Sequence, residues 1–177
     1  MLFAQSPDFR GTAYGEPYPK ATEINLTHST GEPFQLNSDP NRVTLLFFGY
    51  TSCPDVCPTT LAELNIALGQ IPRKADRVDI VFVSVDPDRD TPEIVQQYVG
   101  RFNPKFIGLS GTTDELQPIW DGYGIFREII EDDSAAGPIV NHTARVTLID
   151  GEGNLRLSYA FGTPVEDIVH DLNIILE

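Results

Sequence analysis

Two nearly continuous apolar runs organise the first half of the chain, residues 43–48 (Val-Thr-Leu-Leu-Phe-Phe) and 78–85 (Val-Asp-Ile-Val-Phe-Val-Ser-Val). Both have strand length, and their lack of polar alternation predicts strands covered on both faces. Between them, Leu61, Leu64, Ile66 and Leu68 recur among good helix formers over 58–71, with Pro58 suited to a first helical turn. The pattern predicts a β-α-β unit. A second helix opens at Thr91-Pro92 and presents Ile94, Val95 and Tyr98, and a short strand follows at 105–109. Thr112 and Glu115 have capping-box spacing ahead of Leu116, Ile119 and Trp120, although Pro118 falls inside that helix.

The second half continues with a strand at 124–130, a polar loop at 131–140 and a strand at 144–149. Gly151-Glu152-Gly153-Asn154 then turns the chain into a strand at 155–160. Thr163-Pro164-Val165-Glu166 reads as a second capping box with proline at the first helical position, followed by Ile168, Val169, Leu172 and Ile175 at helical spacing. Upstream, residues 1–22 carry Pro7, Gly11, Gly15, Pro17 and Pro19 without any sustained period, an irregular lead-in. Residues 23–26 and 33–36 flank a turn containing His28, which predicts an N-terminal β-hairpin. The order of elements predicts an α/β sandwich with a mixed sheet, built as one domain over 23–177.

Charge narrows the partners. Acidic residues outnumber basic ones 26 to 12, a formal charge of −14, so phosphate backbones and anionic lipid surfaces repel the chain and nucleic acid is not expected as a partner. Residues 112–137 hold Asp114, Glu115, Asp121, Glu128, Glu131, Asp132 and Asp133 against Arg127 alone, and Arg73, Lys74 and Arg77 form the one basic cluster. Both read as solvated faces. No run approaches the ~18 apolar residues of a membrane helix, and residues 1–10 lack the basic start and apolar stretch of a signal peptide, so as it stands the chain reads as soluble.

Sulfur is confined to Cys53, Cys57 and Met1. That excludes a multi-disulfide scaffold, a four-cysteine zinc site, a four-cysteine iron–sulfur cluster and a methionine-rich copper site. Both cysteines fall where a buried strand gives way to a helix, and backbone N–H groups at a helix start favour thiolate. Three intervening residues open the pair wider than the familiar two-residue redox spacing. Disulfide exchange, metal binding and a structural staple all remain open, although so short a loop removes little unfolded-state entropy when closed. A metal site needs a further ligand from His28, His142 or His170. His28 falls in a surface turn and His170 on the polar side of the last helix, whereas His142 sits near a strand end. Two thiolates and one imidazole would make a soft trigonal site suited to Cu(I) and adaptable to Cu(II). The run Asp86-Pro87-Asp88-Arg89-Asp90-Thr91-Pro92-Glu93 reads as turn and helix-start chemistry.

Three segments, in order, resemble the Sco/SenC family of copper-delivery proteins: Phe-Phe-Gly-Tyr-Thr-Ser-Cys53-Pro-Asp-Val-Cys57-Pro, Ser84-Val85-Asp86-Pro87-Asp88-Arg89-Asp90-Thr91-Pro92, and Val140-Asn141-His142-Thr143. The resemblance spans roughly 9–176. It implies a thioredoxin-like three-layer sandwich with Cys53, Cys57 and His142 as copper ligands, for Cu(I), Cu(II) or both. It also implies delivery of copper to, or preparation of, the copper-A site of cytochrome c oxidase subunit II, with other copper chaperones or thiol-disulfide oxidoreductases as further partners. A thiol-disulfide oxidoreductase using Cys53 and Cys57 as redox residues, and a copper- or redox-sensing module, are the alternatives. Family members typically work in the bacterial periplasm or the mitochondrial intermembrane space behind an N-terminal helical anchor, of which residues 1–22 would be the stub. Ser52 and Asn141 depart from the histidine and aspartate common at those positions.

Overall fold

The computed structural model describes residues 8–130 and 138–177. Its elements run β1 (Thr12–Ala13), β2 (Val43–Gly49), α1 (Val56–Gln70), a 3-10 turn at Ala75–Arg77, β3 (Val78–Ser84), α2 (Pro92–Gly100), β4 (Ile107–Leu109), α3 (Thr113–Gly122), β5 (Arg127–Ile130), β6 (Ile139–His142), β7 (Arg145–Asp150), β8 (Leu155–Ala160) and α4 (Val165–Ile175). One sheet is ordered β1-β8-β7-β2-β3-β4, and β5 pairs with β6 separately. β2–β3 and β3–β4 are parallel, while β2–β7, β7–β8 and β1–β8 are antiparallel. The sheet is mixed, as the pattern of elements predicts.

The two continuous apolar runs are β2 and β3, side by side at the centre. Every residue of β2 is buried, with Leu45 and Leu46 at 0% exposure, which is why Thr44 is the one polar side chain in the run. α1 and α4 pack on each other, and α2 packs on β3 and β4. Ile94 is 44% exposed whereas Val95 and Val99 are fully buried, so α2 turns Val99 inward where the apolar reading placed Ile94.

Several boundaries differ from the sequence expectation for local physical reasons. α1 opens at Val56, two residues before Pro58; proline is tolerated anywhere in a first turn because those N–H groups have no intrahelical partner. This shift puts Cys57 inside the helix. The capping box expected at Thr163 does not form: Pro164 is the N-cap of α4, and the Thr163 hydroxyl donates instead to Ala160 O at 2.8 Å. The box at Thr112 and Glu115 does form, and Pro118 is accommodated inside α3. The turn around His28 closes through His28 N–H to Glu32 O and Phe34 N–H to Leu26 O, both 2.8 Å, with the single bridge Thr27–Pro33 in place of a longer ladder. Of the loop expected at 131–140, residues 131–137 lie outside the described residues, while Ile139 and Val140 belong to β6.

The basic cluster has a structural task. Lys74 Nζ donates to Asn173 O at 2.9 Å and Arg77 to Leu176 O at 2.7 Å, placing two cations on carbonyls at the C-terminal end of α4, the negative end of its dipole. Arg127 does not sit on a solvated face either; its guanidinium lies 5.1 Å from the Trp120 ring centroid and donates to Val85 O.

Candidate metal centre

The centre forms where β2 runs out. After Gly49 the chain turns, with Cys53 N–H donating to Tyr50 O at 3.2 Å, and α1 then begins with Val56 and Cys57. Cys57 is buried and Cys53 is partly exposed, and both are free. The first N–H groups of a helix lack intrahelical acceptors. One of them, on Cys57, donates to Cys53 Sγ at 3.4 Å. A Cβ added to Gly49 would stand 2.7 Å from Cys57 Sγ and 2.7 Å from the Phe82 ring, so the absence of a side chain there lets Cys57 pack against the end of β2.

His142 arrives from far along the chain as the last residue of β6, paired in register with Arg127 of β5. The sequence reading set it between a loop and a strand; it is instead carried on a strand of the separate hairpin. Its Nδ1 lies 3.0 Å from Thr143 O, and a carbonyl only accepts, so Nδ1 holds the proton and Nε2 keeps a free lone pair. That Nε2 is 4.0 Å from Cys57 Sγ. Thr143 is in turn locked to Phe126, exchanging N–H to O and N–H to Oγ1 bonds, each 3.1 Å. The Tyr50 ring meets the imidazole edge-on at 5.9 Å. Tyr50, Cys53, Pro54, Ile139 and His142 line an open cleft of about 290 Å³.

The two thiols are electrostatically unlike. The S–H of Cys57 donates to Cys53 and, against the cost of burial, the Cys57 and Asp55 N–H groups and His142 help lower the Cys53 pKa to about 5. Cys57 is pushed far above the ordinary thiol range by that same donated bond and then by burial. At neutral pH one sulfur is a thiolate and the other holds its proton. Burial lowers the His142 pKa, so its imidazole is neutral and able to act as a ligand. Among the described residues no three His, Cys, Asp or Glu side chains are already gathered at ligation distance. For Cys57 and His142 the gap is small: bonds of about 2.3 Å to sulfur and 2.0 Å to nitrogen at a trigonal angle separate the two donors by about 3.7 Å, against 4.0 Å here.

His28 packs edge-on to Phe34, with centroids 5.6 Å apart, and His170 Nε2 bonds Asp8 O at 3.0 Å; neither lines the cleft. The 86–93 run contributes more than turn chemistry. Thr91 caps α2 by accepting the Ile94 N–H at 3.3 Å, but Asp90 is buried and reaches Thr51 in the cysteine turn. Sequence reasoning singled out neither Tyr50 nor Thr143, although both lie within motifs that carry the resemblance.

Residues 13–177 match the family SCO1/SenC. The chain belongs to the SCO1/SenC family. The SCO2-like protein of Rickettsia felis is 34% identical over 148 residues, 81% of this chain and 71% of that protein. The solution structure of apo Sco1 from Thermus thermophilus is similar at a TM-score of 0.82 and 37% identity, covering 95% of this chain and 97% of that one. Bradyrhizobium japonicum ScoI with copper bound matches at a TM-score of 0.78 and 32% identity, over 89% and 100% of the two chains. The architecture is therefore the thioredoxin-like sandwich that the motifs implied. Among the described residues no helix is long and apolar enough to cross a membrane.

Proposed function

We propose that this SCO1/SenC protein is a copper metallochaperone, with Cys53, Cys57 and His142 as the ligands, and that it delivers copper to, or prepares, the copper-A site of cytochrome c oxidase subunit II. One observation carries the reading: Cys53 and a neutral imidazole with a free lone pair line one open cleft, and the buried Cys57 lies just behind it with its Sγ 4.0 Å from His142 Nε2. Two sulfurs and one nitrogen form a soft donor set that favours copper. A surface cleft suits stepwise ligand exchange with a client, and His142, on a hairpin separate from the main sheet, is the ligand placed to release first. Family membership and the copper-bound Bradyrhizobium relative support the choice of ion. The compartment that fits is the periplasmic side of a bacterial inner membrane or the mitochondrial intermembrane space, where such clients are assembled. The test is Cu(I) competition and Cu(II) spectroscopy on reduced wild type and His142→Ala, followed by transfer to an apo copper-A domain. His142→Ala loses affinity by at least about tenfold and changes the spectrum; indistinguishable values refute the three-ligand site.

The unlike thiols favour a second activity at the same centre, reduction of a client disulfide. Cys53 thiolate attacks one client sulfur and releases the other as thiolate. Cys57, on losing its proton, attacks Cys53 of the mixed disulfide and releases the second client sulfur. Two electrons pass to the client and a Cys53–Cys57 disulfide remains. Cys57→Ser traps the mixed disulfide if this step operates; failure to trap while wild type still delivers copper removes it.

A further inference from the structure

Asp90 is 1% exposed, and its carboxylate takes hydrogen bonds from the Thr51 N–H at 3.1 Å, the Thr51 hydroxyl at 2.5 Å and the Ser84 hydroxyl at 2.8 Å. Ser84 Oγ already accepts the Asp86 N–H at 2.9 Å, so its single proton is available to Asp90. Asp90 is itself fixed: its N–H donates to Asp86 O at 2.9 Å, and its carbonyl accepts from Ser110. All these groups bonding to Asp90 are neutral. Burying a carboxylate among neutral partners is costly, and capping α2 does not require it, because Thr91 does that. Two of the three bonds grip Thr51 by its N–H and its hydroxyl, within the turn that Cys53 N–H closes onto Tyr50 O, and the third ties Asp90 to Ser84 at the end of β3.

We propose that Asp90 is a positioning residue for the thiol centre: by holding Thr51 against the end of β3, it sets where the Tyr50–Cys53 turn places Cys53 relative to Cys57 and His142. It acts through the turn, as hydrogen-bonded partners of metal ligands commonly do. The proposal rests on the copper reading for one of its tests, and a metal-free measurement separates the two.

Asp171 supplies a matched control. It is 0% exposed and accepts the Arg10 N–H at 2.9 Å, the Gly11 N–H at 2.8 Å and the Tyr159 hydroxyl at 3.1 Å, tying the N-terminal segment to α4. Asp90→Asn and Asp171→Asn each lose a buried carboxylate of similar bonding, and only the first lies on the cysteine turn. Two quantities are measured in both: copper affinity of the reduced protein, and the equilibrium of the metal-free Cys53–Cys57 disulfide with glutathione. In the latter, two thiols pass two electrons and two protons to oxidised glutathione, giving two reduced glutathiones. Asp90→Asn is expected to weaken copper about 10–100-fold and to shift the disulfide equilibrium about tenfold, roughly 30 mV. Asp171→Asn lowers the melting temperature but leaves both quantities at wild-type values. The proposal is overturned if Asp90→Asn leaves both unchanged or if Asp171→Asn moves them equally. If wild type itself binds no copper, the copper reading fails, and the disulfide equilibrium still decides the role of Asp90. Should Asp90→Asn not fold, Thr51→Val must reproduce the shift and Thr51→Ser must restore wild-type values; a wild-type Thr51→Val overturns the proposal.

Discussion

The contrast between the two thiols makes an unusual kinetic prediction. An ordinary thiol with a pKa of 9.0 is about 1% thiolate at pH 7, whereas Cys53, lowered to about 5, is about 99% thiolate. Ionisation therefore favours Cys53 about 100-fold. Nucleophilicity falls with basicity along a slope of about 0.4–0.5, so a drop of about four pKa units costs about 40–100-fold per thiolate. The two effects nearly cancel, and at pH 7 Cys53 reacts with an aromatic disulfide reagent about as fast as a free thiol does. The pH dependence differs sharply. Between pH 6 and 8 a free thiol accelerates about 100-fold, while Cys53, already about nine-tenths ionised at pH 6, changes by less than about 1.5-fold. The assay is stopped-flow release of the aromatic thiol from reduced, metal-free protein, whose first phase reports Cys53 because Cys57 is buried and protonated. Cys57→Ala removes the S–H donor that contributes most to the lowered value, so its profile regains a rise with pH. A tenfold acceleration per pH unit in wild type, or an unchanged profile in Cys57→Ala, would refute the assignment of charge to Cys53.

Gly49→Ala puts a methyl carbon 2.7 Å from both Cys57 Sγ and the Phe82 ring; overpacking costs about 1–3 kcal/mol and pushes Cys57 off its site, so urea stability and copper affinity should fall together. Unfolding of the reduced, metal-free protein should become harder from pH 5.5 to 8. The lowered Cys53 pKa stabilises the fold above the unfolded value and is lost as pH falls through about 5. For this partly exposed group, solvent screening reduces the contribution to ~1–2 kcal/mol. The lowered His142 pKa acts in the same sense, since below 6.5 the unfolded chain takes up the proton more readily, while the raised Cys57 pKa destabilises only above about pH 9. Midpoints that stay flat or fall over that range contradict this. Lys74→Ala with Arg77→Ala, which strips two cations from the end of α4, should cost about 1 kcal/mol in thermal unfolding and leave copper affinity unchanged.

The parts of the fold that local chemistry controls were legible in the chain. Residues 43–48 and 78–85 read as buried strands, and the Thr112–Glu115 spacing read as a helix start despite Pro118; all three formed. Pro58 announced a first turn without saying which position it held, because every early N–H is equally dispensable. The β5–β6 hairpin was harder to read. It leaves Ile130 and Ile139 about half exposed, at 45% and 43%, and buries Val140 alone of its apolar residues, so it carries little core signal and half of it resembled a polar loop.

The sequence by itself determined that any soft-metal or redox chemistry must centre on Cys53 and Cys57, since no other sulfur lies beyond Met1, and that a helix start would favour thiolate there. It also restricted the nitrogen ligand to three histidines. Choosing His142 from geometry alone required the tertiary structure, because a ligand 85 positions from Cys57 is brought to it only by the β5–β6 hairpin, whose last residue packs against Tyr50 in the cysteine turn. Which thiol ionises, which imidazole nitrogen is free and what Asp90 holds were likewise decided there. What Asp90 holds depends on a contact 39 positions away; the other two depend on burial and on bonds to near neighbours, Cys57 and Asp55 for Cys53 and Thr143 for His142, that only the folded backbone conformation forms.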